Sequence, residues 1–169
     1  MNRIGAVEGL RAPDAGPRLP SPLSVPFLLI PDSVVSRLVA GVLNSMLAVQ
    51  LREGELDFLR QRSLVIRVRD AGVSVYLTVS GQKLVATRPR ATSDLGIEAS
   101  LYDFLVLTGQ QEDPDTLVFQ RRLVMQGDTE LGLEVKNFLD GLDVESLGLY
   151  RHLAPVLHRL LPVYKRVFS

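Results

Sequence analysis

The 169 residues carry 19 Lys and Arg against 19 Asp and Glu, are 46% apolar and 22% charged, and include no cysteine. That length suits one compact domain with flanking tails, and it is long enough to bury a real core. The missing cysteines exclude disulfides, thiolate chemistry and cysteine metal sites, which fits a reducing cytoplasm.

The balanced charge hides an asymmetry. Residues 32–145 hold 12 Lys and Arg against 17 Asp and Glu, whereas residues 146–169 hold Arg151, Arg159, Lys165 and Arg166 and no acid. A core that acidic is not a nucleic-acid binder, and the basic end points toward an anionic surface. Met1 to Ala15 has charges and proline but no apolar h-region, so no signal peptide is expected. The charge-free run Leu38 to Leu51 includes Asn44, Ser45 and Gln50, and is too short and too polar to span a bilayer.

Residues 1–31 form a Pro-rich segment, with Pro13, Pro17, Pro20, Pro22, Pro26 and Pro31 forbidding a continuous helix. Within it Leu23, Val25, Phe27, Leu28, Leu29 and Ile30 form an apolar patch that must pack on the domain, a partner or a membrane. Asp32 or Ser33 caps a first helix predicted over 34–51. Val35, Leu38, Val39, Val42, Met46 and Val49 give it a wide apolar face, broadened by Leu43 and Leu47. Leu56, Phe58 and Leu59 belong to a turn or a short helix.

Strands follow. Leu64 to Arg69 reads as one, and Asp70-Ala71-Gly72 turns the chain. Val73, Val75, Leu77 and Val79 alternate with Ser74, Tyr76, Thr78 and Ser80, the pattern of a half-buried strand. Ser80-Gly81-Gln82 makes a hairpin into Lys83 to Thr87, and Leu95, Ile97 and Ala99 mark a fourth strand. Ser100 with Asp103 resembles a capping box for a short helix that Gly109 stops.

Asp113-Pro114-Asp115 starts another short helix, with Asp113 as N-cap and proline in the first turn, ending near Gln120. Leu123-Val124-Met125 reads as a buried strand closed by Gly127. Asp128 and Thr129 then offer an N-cap to a last helix. Leu131, Val135, Phe138, Leu139 and Leu142 line one of its faces, and Gly141 ends it. Sequential strands followed by short helices around a last strand predict an α+β domain over 32–145, with helices on one face of the sheet. In the tail, Leu149, Leu153, Val156, Leu157, Leu160, Leu161, Tyr164 and Phe168 recur at helical spacing, broken by Pro155 and Pro162.

Catalytic chemistry finds no support. His152 and His158 are six apart with a proline between them, the wrong spacing for a shared metal. No G-x-S-x-G, P-loop or G-x-G-x-x-G is present. Asp113 with Asp115, and Asp128 with Glu130, are accounted for as helix starts. Arg121 and Arg122 either pair with nearby acids or meet a head group or partner. Arg67, Arg69, Lys83, Arg88 and Arg90 read as a solvated strand face.

The string D-P-D-T-L-V-F-Q-R-R-L-V-M-Q-G-D-T-E-L-G-L-E-V-K-N, Asp113 to Asn137, closely resembles the signature of the bacterial ubiquinone biosynthesis accessory factor family UbiT. That family is built on the sterol carrier protein 2 domain, and the likeness extends more loosely over roughly residues 33–145. The resemblance implies a sterol carrier protein 2-like α+β fold. Its mostly antiparallel sheet of about five strands would carry helices over one face, around an apolar cavity. It implies a non-catalytic lipid-binding role in oxygen-independent ubiquinone biosynthesis, with no cofactor and no catalytic residue. Ubiquinone or its prenylated precursors would be held for the iron–sulfur hydroxylation proteins UbiU and UbiV. The place would be cytoplasmic, with peripheral contact to the inner membrane left open.

On that reading the lipid-binding residues are Val42, Met46, Leu77, Phe104, Leu105, Phe119, Leu123, Met125, Leu131, Val135 and Phe138. Periodicity alone does not separate a lined tunnel from a filled core, and close packing of interiors favours the core; only the resemblance favours the tunnel. The tail likewise has two readings. Arg151, Arg159, Lys165 and Arg166 contact a phospholipid membrane surface, or the leucines cover the domain or join two copies. A general phospholipid or sterol-type carrier and a scaffold of a biosynthetic complex are the alternatives.

Overall fold

The computed structural model describes residues 31–89, 92–109 and 111–142. Five strands form one sheet: β1 (Leu64–Val68), β2 (Val73–Ser80), β3 (Lys83–Ala86), β4 (Leu95–Ala99) and β5 (Val124–Gly127), in the order β3-β2-β1-β4-β5. Neighbours are antiparallel except β1 and β4, which run parallel because the chain crosses from β3 back to the far side of β1. The register sets Leu64 beside Leu77 and Leu95, and Ile66 beside Val75 and Ile97. One sheet face is therefore almost wholly apolar, as the period-2 alternation of β2 demands.

That face is covered by helices, three of which begin at a side-chain cap. The helix α1 (Asp32–Met46) passes at Leu47 into a shorter α2 (Ala48–Glu53), so the single helix expected over 34–51 is two. Pro31 occupies the N-cap without any side-chain cap, so neither Asp32 nor Ser33 caps it. Asp32 Oδ1 instead accepts the Ser74 N–H of β2 at 3.4 Å. Gly54, at φ 79°, ends α2 in the left-handed conformation that glycine adopts without steric cost. Leu56, Phe58 and Leu59 surround a one-turn 3-10 helix, Asp57–Leu59.

Ser100 caps α3 (Leu101–Thr108) and Asp113 caps α4 (Pro114–Phe119), each accepting the N–H three residues on. Asp128 does the same for α5 (Thr129–Gly141). Gly141 is the last helical residue rather than the stop beyond it, and Leu142 takes the C-cap. At the other end of β5, Gly127 sits at φ 126°, with the Asp94 carbonyl where a Cβ would be. No other residue fits that junction.

α1 carries three distinct stripes. Val35, Val39 and Leu43 pack into the core beneath β2. Asp32, Ser36, Ala40 and Asn44, four residues apart, run along the sheet edge. The Ser36 hydroxyl accepts the Tyr76 N–H at 3.0 Å. The Asn44 amide both donates to the Leu84 carbonyl at 2.7 Å and accepts its N–H at 2.8 Å. The third stripe, Val34, Leu38 and Val42, is exposed. At Leu84 of edge strand β3 the open backbone is occupied by Asn44, a side chain that mimics a neighbouring strand.

Candidate lipid-binding cavity

Between the sheet and the helices lies a cavity of about 190 Å³. Its floor is the inner sheet face: Leu64 and Ile66 of β1, Leu77 of β2, Leu84 of β3 and Ile97 of β4. Leu43 and Leu47 wall one side, and Leu56, Phe58 and Leu59 wall the next. Phe104 and Leu107 of α3, Leu123 before β5, and Val135, Phe138 and Leu139 of α5 complete the ring. The Phe58 and Phe138 rings meet at 6.3 Å between centroids, tilted by 59°, joining the 3-10 helix to α5.

Every one of these residues is apolar. These side chains offer no hydrogen bond, no charge and no nucleophile, and a surface of this kind is suited to sheltering hydrocarbon from water. Among the described residues, no cluster of three or more His, Cys, Asp or Glu is placed to hold a metal.

Of the eleven residues expected to face lipid, Leu77, Phe104, Leu123, Val135 and Phe138 lie on the cavity wall. Met46, Leu105 and Met125 are half-buried against the same core without lining the cavity, and Leu131 is buried within it. Val42 and Phe119 face solvent, at 48% and 91% exposure. Val42 belongs to the apolar stripe of α1 that faces solvent, and the inward position falls to its neighbour Leu43. Phe119 ends α4, beyond which the chain reverses through Arg121 at φ 59° and leaves the ring outside. Wall residues that sequence reasoning passed over, such as Ile66, Leu84 and Ile97, were visible as the inward set of the strands. Their facing a space was not.

The two arginines separate completely. Arg121 is exposed, whereas Arg122 is only 8% exposed and each of its three guanidinium nitrogens is engaged. Its Nε and Nη2 lie 2.8 and 2.6 Å from Asp103 Oδ1. Its Nη1 donates to Glu112 at 2.7 Å and to Gln120 at 3.1 Å. Burial works against the charged guanidinium, but the carboxylates of Glu112 and Asp103 outweigh it and raise its pKa. Arg122 therefore tethers the stretch before β5 to α3, holding its neighbour Leu123 and Asp103's neighbour Phe104 in the wall. No head group is needed to account for its charge.

Arg67, Arg69, Lys83 and Arg88 are exposed, as a solvated face requires. Arg90, the histidines, the N-terminal apolar patch and the basic tail with Arg151, Arg159, Lys165 and Arg166 lie outside the described residues. No helix among the described residues is long and apolar enough to cross a membrane.

Residues 43–140 match the SCP-2 sterol transfer family. Over 128 residues the chain is 42% identical to the ubiquinone biosynthesis accessory factor UbiT of Escherichia coli strain K12, covering 76% of this chain and 73% of that protein. The UbiT protein of Escherichia coli O157:H7 matches with the same identity and coverage. A solved structure of a UbiJ sterol carrier protein 2 ubiquinone synthesis protein superposes with a TM-score of 0.52 at 19% identity, over 63% of this chain and 94% of that one, and it supports the fold alone. By the residues matched, the shared fold and the identity to its members, the chain belongs to the SCP-2 sterol transfer family and, within it, to the ubiquinone biosynthesis accessory factor family UbiT.

Proposed function

We propose that the protein is a non-catalytic carrier in oxygen-independent ubiquinone biosynthesis, holding ubiquinone or its prenylated intermediates by the tail while partner proteins act on the head. The observation that carries this reading is a cavity walled wholly by hydrocarbon side chains in a chain 42% identical to a ubiquinone accessory factor. An isoprenoid tail needs continuous apolar walls and few polar contacts, and that is what these walls provide. The head stays outside, open to hydroxylation proteins of the UbiU and UbiV type. The basic tail, with Arg151, Arg159, Lys165 and Arg166, rests on anionic lipid from which the tail-bearing substrate is drawn.

A strain lacking this gene, grown without oxygen, is expected to lose most of its ubiquinone and to regain it with the wild-type gene. Growth in oxygen is expected to leave ubiquinone near normal. Normal anaerobic ubiquinone in the deletion strain would sink the proposal. A general phospholipid carrier is the second reading, favoured by the lack, among the described wall residues, of any polar side chain that could select a head. Phospholipid without prenyl lipid in material extracted from the purified protein would support it.

A further inference from the structure

We propose that the protein carries a second, polar site: a pocket for a phosphate group on the outer face of the sheet. It goes beyond the carrier reading and stands whether or not the apolar cavity holds a prenyl lipid. The pocket, of about 240 Å³, opens where β1 starts and β2 ends, walled chiefly by Gln61, Arg62, Ser63, Thr78, Ser80 and Thr87. Successive side chains of a strand point to opposite faces. Leu64 and Leu77 therefore floor the apolar cavity, while their neighbours Ser63 and Thr78 turn to this pocket.

The fold does not use up the polar groups gathered here. Ser63 is bonded to Asp94, and the Thr78 hydroxyl donates to the Leu59 carbonyl at 3.1 Å. The Gln61 carboxamide and the Ser80 and Thr87 hydroxyls have no partner among the described residues. Arg62 places only Nη1 on Asp128, at 2.9 Å, which leaves its Nε and Nη2 donors free. Gln61 also holds a left-handed backbone, φ 61°, which among the described non-glycine residues only Arg121 shares. Such a conformation costs free energy and is concentrated at binding and active sites. At Arg121 it sends Arg122 into a buried ion pair. At Gln61 no ion pair follows, and the turn brings an amide and a guanidinium to one pocket.

Charge selects the ligand. No carboxylate is among the described wall residues. Lys83, the cross-strand partner of Ser80, stands on the same face with no ion pair of its own. The acids close by are engaged, Asp94 by Ser63 and Asp128 by Arg62 and the Leu131 N–H. A guanidinium edge, an amide and two hydroxyls suit the charge and the several acceptor oxygens of a phosphate. A cation finds no carboxylate there, and a neutral polyol leaves Arg62 and Lys83 unanswered.

The test follows backbone amide shifts of the full-length protein by NMR. Inorganic phosphate, glycerol 3-phosphate and neutral glycerol are titrated, with ionic strength held constant by sodium chloride. Saturable shifts centred on residues 61–63, 78–80 and 87 are expected with both phosphates and not with glycerol. Thr87→Val, which removes a hydroxyl at nearly constant size, and Arg62→Gln should each weaken binding at least about fivefold, because bonds to an ionised acceptor are the stronger ones. Lys136→Gln, on α5 across the sheet, should change it less than about twofold, as a distant site does. Dihexanoyl phosphatidic acid, kept below its micelle concentration, separates the sources of phosphate. Tighter binding than glycerol 3-phosphate at the same amides assigns a lipid head group, and equal or weaker binding a soluble phosphate. Shifts that do not saturate, that appear equally with glycerol, or that survive both pocket substitutions overturn the site. None of these outcomes bears on prenyl lipid in the apolar cavity.

Discussion

Asp103 and Arg122 show how one contact shapes the site without touching a ligand. The pair is buried, with side-chain exposures of 3% and 9%, and the bond is 2.6 Å long. Removing one partner from such a pair leaves an uncompensated charge and costs about 3–5 kcal/mol. Asp103→Ala also strips α3 of the carboxylate that accepts from the Ser100 hydroxyl. Its urea midpoint is expected to drop accordingly, while Asp103→Leu combined with Arg122→Met is expected to be more stable than either single variant. A double variant less stable than both single variants would contradict the coupling of Asp103 to Arg122.

A second residue-scale prediction concerns acid. The Asp94 carboxylate accepts the Ser63 hydroxyl at 2.7 Å and the Ser63 N–H at 2.6 Å, which together hold its pKa below the ordinary carboxylate range. Asp128 is lowered too, first by the Leu131 N–H it caps and then by Arg62. A lowered carboxyl favours the folded state once ionised. Its contribution is whole above about pH 4 and disappears as the pH falls through the folded value. Thermal midpoints measured from pH 7 to pH 2.5 should fall below about pH 4. Asp94→Asn should start lower at pH 7 and fall less steeply. Parallel curves for the two proteins would contradict the assignment.

At the scale of elements, α1 decides how the sheet ends. Asn44 satisfies both backbone groups of Leu84 on the outer strand, so Asn44→Ala exposes or orphans them at a cost of about 1–3 kcal/mol. Faster amide exchange at Leu84 is the specific readout, and unchanged exchange there would refute the edge-covering role. This stripe also shows where the sequence stopped being legible. The strands could be read because β2 alternates strictly, and α3, α4 and α5 because Ser100, Asp113 and Asp128 stand at their starts. In α1, apolar residues occupy two adjacent stripes, so periodicity could not tell inward Leu43 from outward Val42. The true marker was polar: Asp32, Ser36 and Asn44 at multiples of four. Their meaning depends on a strand edge roughly forty residues away in the chain. Likewise Arg122 and Arg121 are adjacent and identical in the sequence, and only the left-handed turn at Arg121 sends one inward and the other out.

For the whole molecule, the central claim is that sheet and helices enclose space rather than fill it. The family resemblance led to that expectation; residue patterns alone favoured a solid core, because the same leucines serve both and interiors are normally close-packed. Extraction of the purified full-length protein with organic solvent, followed by mass spectrometry, tests it most directly. Ubiquinone or a prenylated precursor is expected with the wild-type protein and is expected to be depleted in Val135→Phe, whose added ring occupies the cavity. Wild-type protein that yields no prenyl lipid, or a variant that yields as much as wild type, would contradict it.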